Sequence, residues 1–461
     1  MSKKMSEKKS VRGRQIDMLQ GSLMDKLLLF ALPLAASNIL QQLFNSADAA
    51  VVGRFAGSQA LAAVGGNTSV INLLLNLFVG ISVGANVVIA RYIGQNKIEK
   101  VQEAVHTVIA VALISGFFLI GIGMALAKPI LLLMSTPKDV INLAVLYLRI
   151  YFAGMPFLMV YNFGAAILRS VGDTRRPLYC LLFTGVINVG LNLLFVVGLE
   201  MSVAGVALAT MIANAISAGL VVYFLINEEG VIRLNIRRLT MKKEHLLEIL
   251  RVGVPAGIQG MVFSLSNICI QTGINSFGSA AVAGSASAVN FEFFTYFVTN
   301  SFVQATVTFT SQNFGAKQFD RCKKIFRYCL MSAMVGTGLM ALVFLTGKNV
   351  FIKIYTVEPE VIKFALIRMT YVLTMIFLPP TYEISGAALR GIGYSMLPAA
   401  ITIVGCCGFR VVWIYTVFRI FGTFESLMAV YPATWVLTGT MMQMSYYVIR
   451  KKVFASKTAE R

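Results

Sequence analysis

A chain of 461 residues that is 57% hydrophobic and only 13% charged, with a mean hydropathy of +0.75, lies outside ordinary soluble composition and reads as an integral membrane protein. Its formal charge of +20 does not imply a nucleic-acid partner, because the basic residues fall on alternate connections, as orientation by cytoplasmic Lys and Arg demands. Six cysteines without C-x-x-C spacing and only two histidines, His106 and His245, argue against a disulfide framework or a metal centre.

A spanning helix needs about 20 apolar residues to cross a hydrocarbon core of about 30 Å. Twelve such runs follow one another, at 26–48, 60–90, 99–126, 141–167, 177–198, 203–226, 246–271, 280–311, 324–346, 362–388, 397–420 and 427–449. The expected fold is all-α and integral to the membrane, with twelve transmembrane helices in two six-helix bundles and both termini cytoplasmic. A basic tail over 1–22, carrying Lys3, Lys4, Lys8, Lys9, Arg12 and Arg14, precedes an amino-terminal bundle over 23–226. The polar linker "NEEGVIRLNIRRLTMKKEH" occupies 227–245, the second bundle 246–450, and a short tail 451–461. The first run is too long for a cleavable signal, and eleven more follow it.

The first run ends in "LQQLFNSADAAVVGRFAG", which places a carboxylate, Asp48, among alanines and valines. At helical spacing Asn38, Gln41, Asn45 and Asp48 form one polar stripe. The fifth run repeats Thr184, Asn188 and Asn192 every four residues, and the sixth does nearly the same with Thr210, Asn214 and Ser217. Such residues can simply glue helices together. A carboxylate in mid-bilayer costs about 2.5–3.5 kcal/mol even on the mild insertion scale, so Asp48 must be protonated, paired or cation-bound. An alternative places it near the outer interface, satisfied by water and Arg54. Two further acids, Glu292 and Glu383, and one base, Arg410, stand in the second half, either pairing with one another or touching substrate. Asn162 completes the candidate cavity residues.

The halves repeat one unit. "ILRSVGDTRRPL" at 167–178 matches "ALRGIGYSMLPA" at 388–399, and "RYIGQNK" at 91–97 matches "QNFGAKQ" at 312–318, both offset by 221. Pro33 and Pro255 occupy the first run of each half, where a proline removes a backbone bond and bends the helix. With one residue of slippage in this first run, where the offset is 222 as for Pro33 and Pro255, the acid is not repeated: Asn45 corresponds to Asn267, but Asp48 corresponds to Ile270. Parallel repeats of this kind build transporters with alternating access. Nothing resembles G-x-x-x-x-G-K-[ST], so transport would run on an ion gradient rather than on a nucleotide.

Pro33, Asp48 and Gly53 in the first run, "ARYIGQNK" with its partner "TSQNFGAKQFDR", and the doubled "LRSVGDTRRP" and "LRGIGYSMLP" resemble the multidrug and toxic compound extrusion (MATE) family over nearly the whole chain. The resemblance implies a non-enzymatic efflux transporter of the bacterial plasma membrane that exchanges organic cations or amphipathic drugs for H⁺ or Na⁺ and uses no other cofactor. A monomer is expected, with small-molecule and lipid partners and no nucleic acid. It also implies that Asp48 couples cation binding to bending at Pro33, with Asn188, Asn192 and Thr210 completing a cation site as in the DinF-like branch. Asn192 departs from members with aspartate there. The acids of the NorM-like branch are replaced by Phe263 and by Pro379 and Pro380. The alternative within the wider superfamily is a lipid-linked saccharide flippase, which would need several Arg or Lys residues to hold pyrophosphate; only Arg149 and Arg410 stand out for that role.

Overall fold

The computed structural model describes residues 16–134 and 136–459, so the basic tail with Lys3 to Arg14 lies outside the described residues. Helices make up the regular structure, since a chain in hydrocarbon must satisfy its backbone internally. In the first half they are α1 (Leu23–Phe55), α2 (Ser58–Gly94), α3 (Ile98–Leu133), α4 (Ile141–Ala153), α5 (Met155–Ser170), α6 (Arg175–Gly198) and α7 (Ser202–Ile226). The second half has α8 (Lys243–Asn275), α9 (Ser279–Gly315), α10 (Phe319–Thr346), the short α11 (Lys348–Phe351), α12 (Pro359–Leu373) and α13 (Pro379–Gly391). It closes with α14 (Met396–Phe421), α15 (Phe424–Met428) and α16 (Val430–Ala459).

Eight of these are long and apolar enough to cross a membrane, and nine if α4 and α5 count as one bent span. α9 and α16 are also long, at 37 and 30 residues, but more polar. Two single runs of the sequence reading are broken. The run over 141–167 bends by 48° between α4 and α5, where Gly154 and Pro156 interrupt the helix. The run over 362–388 stops at Leu373 and restarts at Pro379, because two successive prolines supply no amide hydrogens and fit only a first turn.

The repeat is written into the backbone. α1 and α8 both have 33 residues, and α2 and α9 both have 37. Gly57 and Gly278 turn the chain at φ +89° and +87°, while Asn96 and Lys317 both sit at +58°, each pair 221 residues apart. A π-helical turn begins at Leu193 in α6 and at Ile414 in α14, again 221 apart.

Residues 16–17 with Leu32–Val254 form one compact unit, and Met18–Ala31 with residues 255–459 form the other. The divisions fall beside Pro33 and at Pro255, so each unit contains the opening segment of the other half's first helix. In the second unit Phe30 packs edge-on to Phe309 at 5.5 Å, and the Met18 carbonyl accepts from Asn313 Nδ2. In the first, Gly84 and Gly253 let α2 and α8 meet backbone to backbone. A Cβ on Gly84 would stand 2.3 Å from the Ile249 carbonyl oxygen, the close approach that small residues permit between membrane helices.

The linker is pinned along α3. The Asn235 amide donates to His106 Nε2 at 3.1 Å, which leaves His106 Nδ1 to donate to the Gln102 carbonyl. Glu103 receives Lys242 Nζ and His245 Nε2, and Lys100 pairs with Glu244 at 2.9 Å. Both histidines therefore serve as structural ties. All six cysteines are unbonded, and five of them are buried. Large apolar side chains such as Phe117, Phe118 and Val186 are more than half exposed, as lipid-facing positions require.

Candidate functional site

In the first unit α1 and α6 bring Asp48 and Asn192 together. Asn192 Nδ2 donates to Asp48 Oδ1 at 2.5 Å and to Asn188 Oδ1 at 3.3 Å. A carboxylate can only accept, so the amide nitrogen must face it, and Asn192 Oδ1 is left buried with no hydrogen-bond donor. The cluster thus presents carboxylate and amide oxygens with no base among them. Asp48 makes no ion pair among the described residues; Arg54 is exposed, its guanidinium 5.9 Å from the Phe55 ring centroid. Pairing of Asp48 with Arg54 does not occur. Oxygen donors around one acid suit a proton or a small hard cation.

Local packing explains how the two helices meet. Phe44 on α1 lies over Gly185 on α6, where a Cβ would stand 1.9 Å from Phe44 Cε2. Asn188 and Asn192 follow one and two turns beyond Gly185, and the π-helical turn at Leu193 starts immediately after Asn192. Such turns recur at functional positions because the extra residue re-aims the side chains around it. Thr184 accepts from Ser217 at 2.9 Å, fastening α6 to α7 one turn below the cluster.

Other predicted residues fall elsewhere. Thr210 on α7 is half-buried and makes no hydrogen bond to the cluster among the described residues. Asn38 is half-buried, and Gln41 and Asn45 are exposed, so the α1 stripe is open down to Asp48. Asn162 donates to the Leu158 carbonyl of its own helix at 3.0 Å. Pro33 stands inside a continuous α1, its carbonyl accepting from Ser37 Oγ at 2.8 Å. Tyr147 and Tyr151 went unnoticed in the sequence. They stack at 5.9 Å on α4 within electrostatic reach of Asp48. Their one-turn spacing in an apolar run was the only available signal.

The second unit holds a different chemistry. Glu292 does not pair with Arg410; it receives both Nε and Nη2 of Arg368, at 2.6 and 2.9 Å. Arg368 also donates to Ser285 Oγ and to the Tyr431 hydroxyl. Arg410, 1% exposed, donates through Nη1 to Asn267 Oδ1 at 2.8 Å and lies over the rings of Phe263 and Tyr431. Glu383 is within electrostatic reach of Arg390, which donates to Gln259 at 2.8 Å. Arg368 was missed as a partner because nothing in local spacing ties it to an acid on another helix, whereas Arg390 stands two turns beyond Glu383 on the same α13, a spacing that could have pointed to it. Ile270, the counterpart of Asp48, is 1% exposed and purely apolar.

The MatE family model matches residues 33–194 and 255–416, which is more than half the chain, and its two matches open on Pro33 and Pro255. The chain belongs to the MatE family. Among MatE relatives, the probable multidrug resistance protein YoeA of Bacillus subtilis is 29% identical over 437 residues, covering 92% of this chain and 93% of that protein. The probable multidrug resistance protein YpnP of the same organism is 32% identical over 271 residues, 58% of this chain and 60% of its own. A solved structure described as the outward-facing conformation of a multidrug resistance MATE family transporter of the MOP superfamily superposes with a TM-score of 0.87 at 21% identity. It covers 95% of this chain and 97% of that one, a likeness of fold. Family and apolar helices together make this MatE chain a multi-pass membrane protein.

Proposed function

We propose that this MatE chain is a secondary active multidrug exporter that expels organic cationic or amphipathic compounds in exchange for H⁺ or Na⁺ by alternating access. In this reading the chain crosses a cell membrane twelve times with both termini in the cytoplasm. The observation that carries it is the seat of Asp48: a carboxylate among apolar helices, held by Asn192, which also donates to Asn188, with no basic partner among the described residues. An acid so placed must exchange something positive, and a cation that comes and goes is what couples a gradient to a conformational cycle. The multidrug names of relatives such as YoeA support the class of substrate. The flippase alternative has less support, because Arg410 is engaged by Asn267 and the buried Arg368 by Glu292.

Asp48→Asn keeps the shape and the hydrogen-bonding reach but removes the titratable charge. Expressed in a drug-sensitised cell, this variant is expected to reach the membrane in normal amount and to confer no resistance. Resistance equal to that of the unaltered chain would refute the coupling role.

A further inference from the structure

The turn between α9 and α10, the start of α10 and the last turns of α16 line a groove of about 1190 Å³ in the second unit, away from the Asp48 cluster in the first. Lys317, Arg321, Lys323, Arg450 and Lys451 line it, and Asp320 is the one acid among its lining residues. Asp320 is paired with Lys323 at 2.9 Å, and Arg321 keeps its charge while donating to Asn313 Oδ1 and the Met18, Gln20 and Gly21 carbonyls, so the groove is net positive with Arg450 and Lys451 on its α16 side. Its wall is aromatic. The rings of Phe319 and Phe454 stack with centroids 4.9 Å apart, and the Arg450 guanidinium stands 4.8 Å from the Tyr447 centroid. Gln318, also lining it, contributes a buried side-chain oxygen with no donor.

Depth narrows the ligand. α10 has 28 residues, about 42 Å of helix at 1.5 Å per residue, against a hydrocarbon core of about 30 Å. Its first turn, where Phe319 to Lys323 stand, therefore reaches the headgroup layer. The internal repeat supplies a control. In the first unit the matching start of α3 is closed by the chain's own linker, through Lys100 with Glu244 and Glu103 with Lys242 and His245. At the offset of 221, Glu103 becomes Lys324 and His106 becomes Arg327, and α16 continues as helix to Ala459 instead of returning as a linker. One copy is closed by protein carboxylate; the other offers positive charge.

We propose that this groove binds the headgroup of an anionic phospholipid, with basic side chains on the phosphodiester, the aromatic wall at the glycerol level and Gln318 accepting from a headgroup hydroxyl. The full-length protein is immobilised in detergent, loaded with phosphatidylglycerol or phosphatidylcholine, washed, and its retained lipid quantified by mass spectrometry. Preferential retention of phosphatidylglycerol is expected. Affinity should fall roughly thirtyfold in Arg450→Gln/Lys451→Gln, the loss of two basic contacts at the strength usual near anionic lipid. Arg237→Gln/Arg238→Gln, which removes two charges from the linker, should retain lipid as the unaltered chain does. Should the first double variant fail to elute normally on size exclusion, Lys451→Gln alone, at an exposed position, is expected to show the same direction of loss. Equal retention by the groove variant, equal loss in the linker variant, or equal binding of phosphatidylcholine would overturn the proposal. So would displacement of the lipid by excess inorganic phosphate, which would make this a free-phosphate site.

Discussion

Arg368 and Glu292 show what a buried charge in this protein needs. The pair is bidentate, and two of the three remaining guanidinium hydrogens reach Ser285 and Tyr431, so little of the charge is left unanswered. Removing one partner of such a pair strands the other, at a cost of about 3–5 kcal/mol, whereas replacing both with apolar side chains is often neutral. Arg368→Met and Glu292→Met should therefore each lower the unfolding temperature of the detergent-solubilised protein, and the double variant should recover most of the loss. A double variant that loses the sum of the two would show that the residues are independent. Asp48 is the opposite case, with one amide donor and no base among the described residues. It was conspicuous in the sequence because an acid in an apolar run has few explanations. Asn188 and Asn192 were legible from their four-residue spacing. Arg368 was not, since its partner lies on another helix and contacts between helices leave no local periodicity; Tyr147 and Tyr151 show a one-turn spacing, but nothing in it ties them to Asp48.

The helices as elements were largely readable, because hydrocarbon thickness sets their length and Pro and Gly mark their ends. The breaks at Gly154 and before Pro379 were not, since apolar residues continue across both and hydropathy cannot see a bend. Packing between elements was the least legible. Gly185 sits in a helix also containing Gly190, and the sequence does not rank them. In the fold, Gly185 is covered by Phe44, while nothing lies within 4 Å of a Cβ at Gly190. Gly185→Val should hold α1 away from α6 and separate Asp48 from Asn192, an overpacking penalty of about 1–3 kcal/mol. Drug resistance conferred by Gly185→Val is then expected to drop, with Gly190→Val unaffected and Phe44→Ala partly restoring the first. Equal effects at the two glycines would mean that general helix damage, and not this contact, is responsible.

At the scale of the molecule the offset of 221 seen in the sequence recurs in the backbone, at the left-handed residues Asn96 and Lys317 and at the π-helical turns, which the sequence did not announce. Duplication of backbone did not bring duplication of chemistry. The first unit offers Asp48 with no base beside it among the described residues, and the second buries Arg368, Arg390 and Arg410 against Glu292, Gln259 and Asn267. Under the proposed coupling through Asp48 the chain would carry one ion site, and with it comes a rule for competition. A single carboxylate cannot hold H⁺ and Na⁺ at once, so lowering the pH fills Asp48 with protons and must weaken any Na⁺ dependence. In vesicles loaded with a fluorescent cationic drug, an imposed Na⁺ gradient should drive transport with a half-saturating Na⁺ concentration that rises as pH falls, if Na⁺ is the coupling ion. If H⁺ is, a pH gradient alone should suffice and added Na⁺ should slow it. Transport driven by both gradients additively, with neither ion opposing the other, would require a second site, which Ile270 cannot supply.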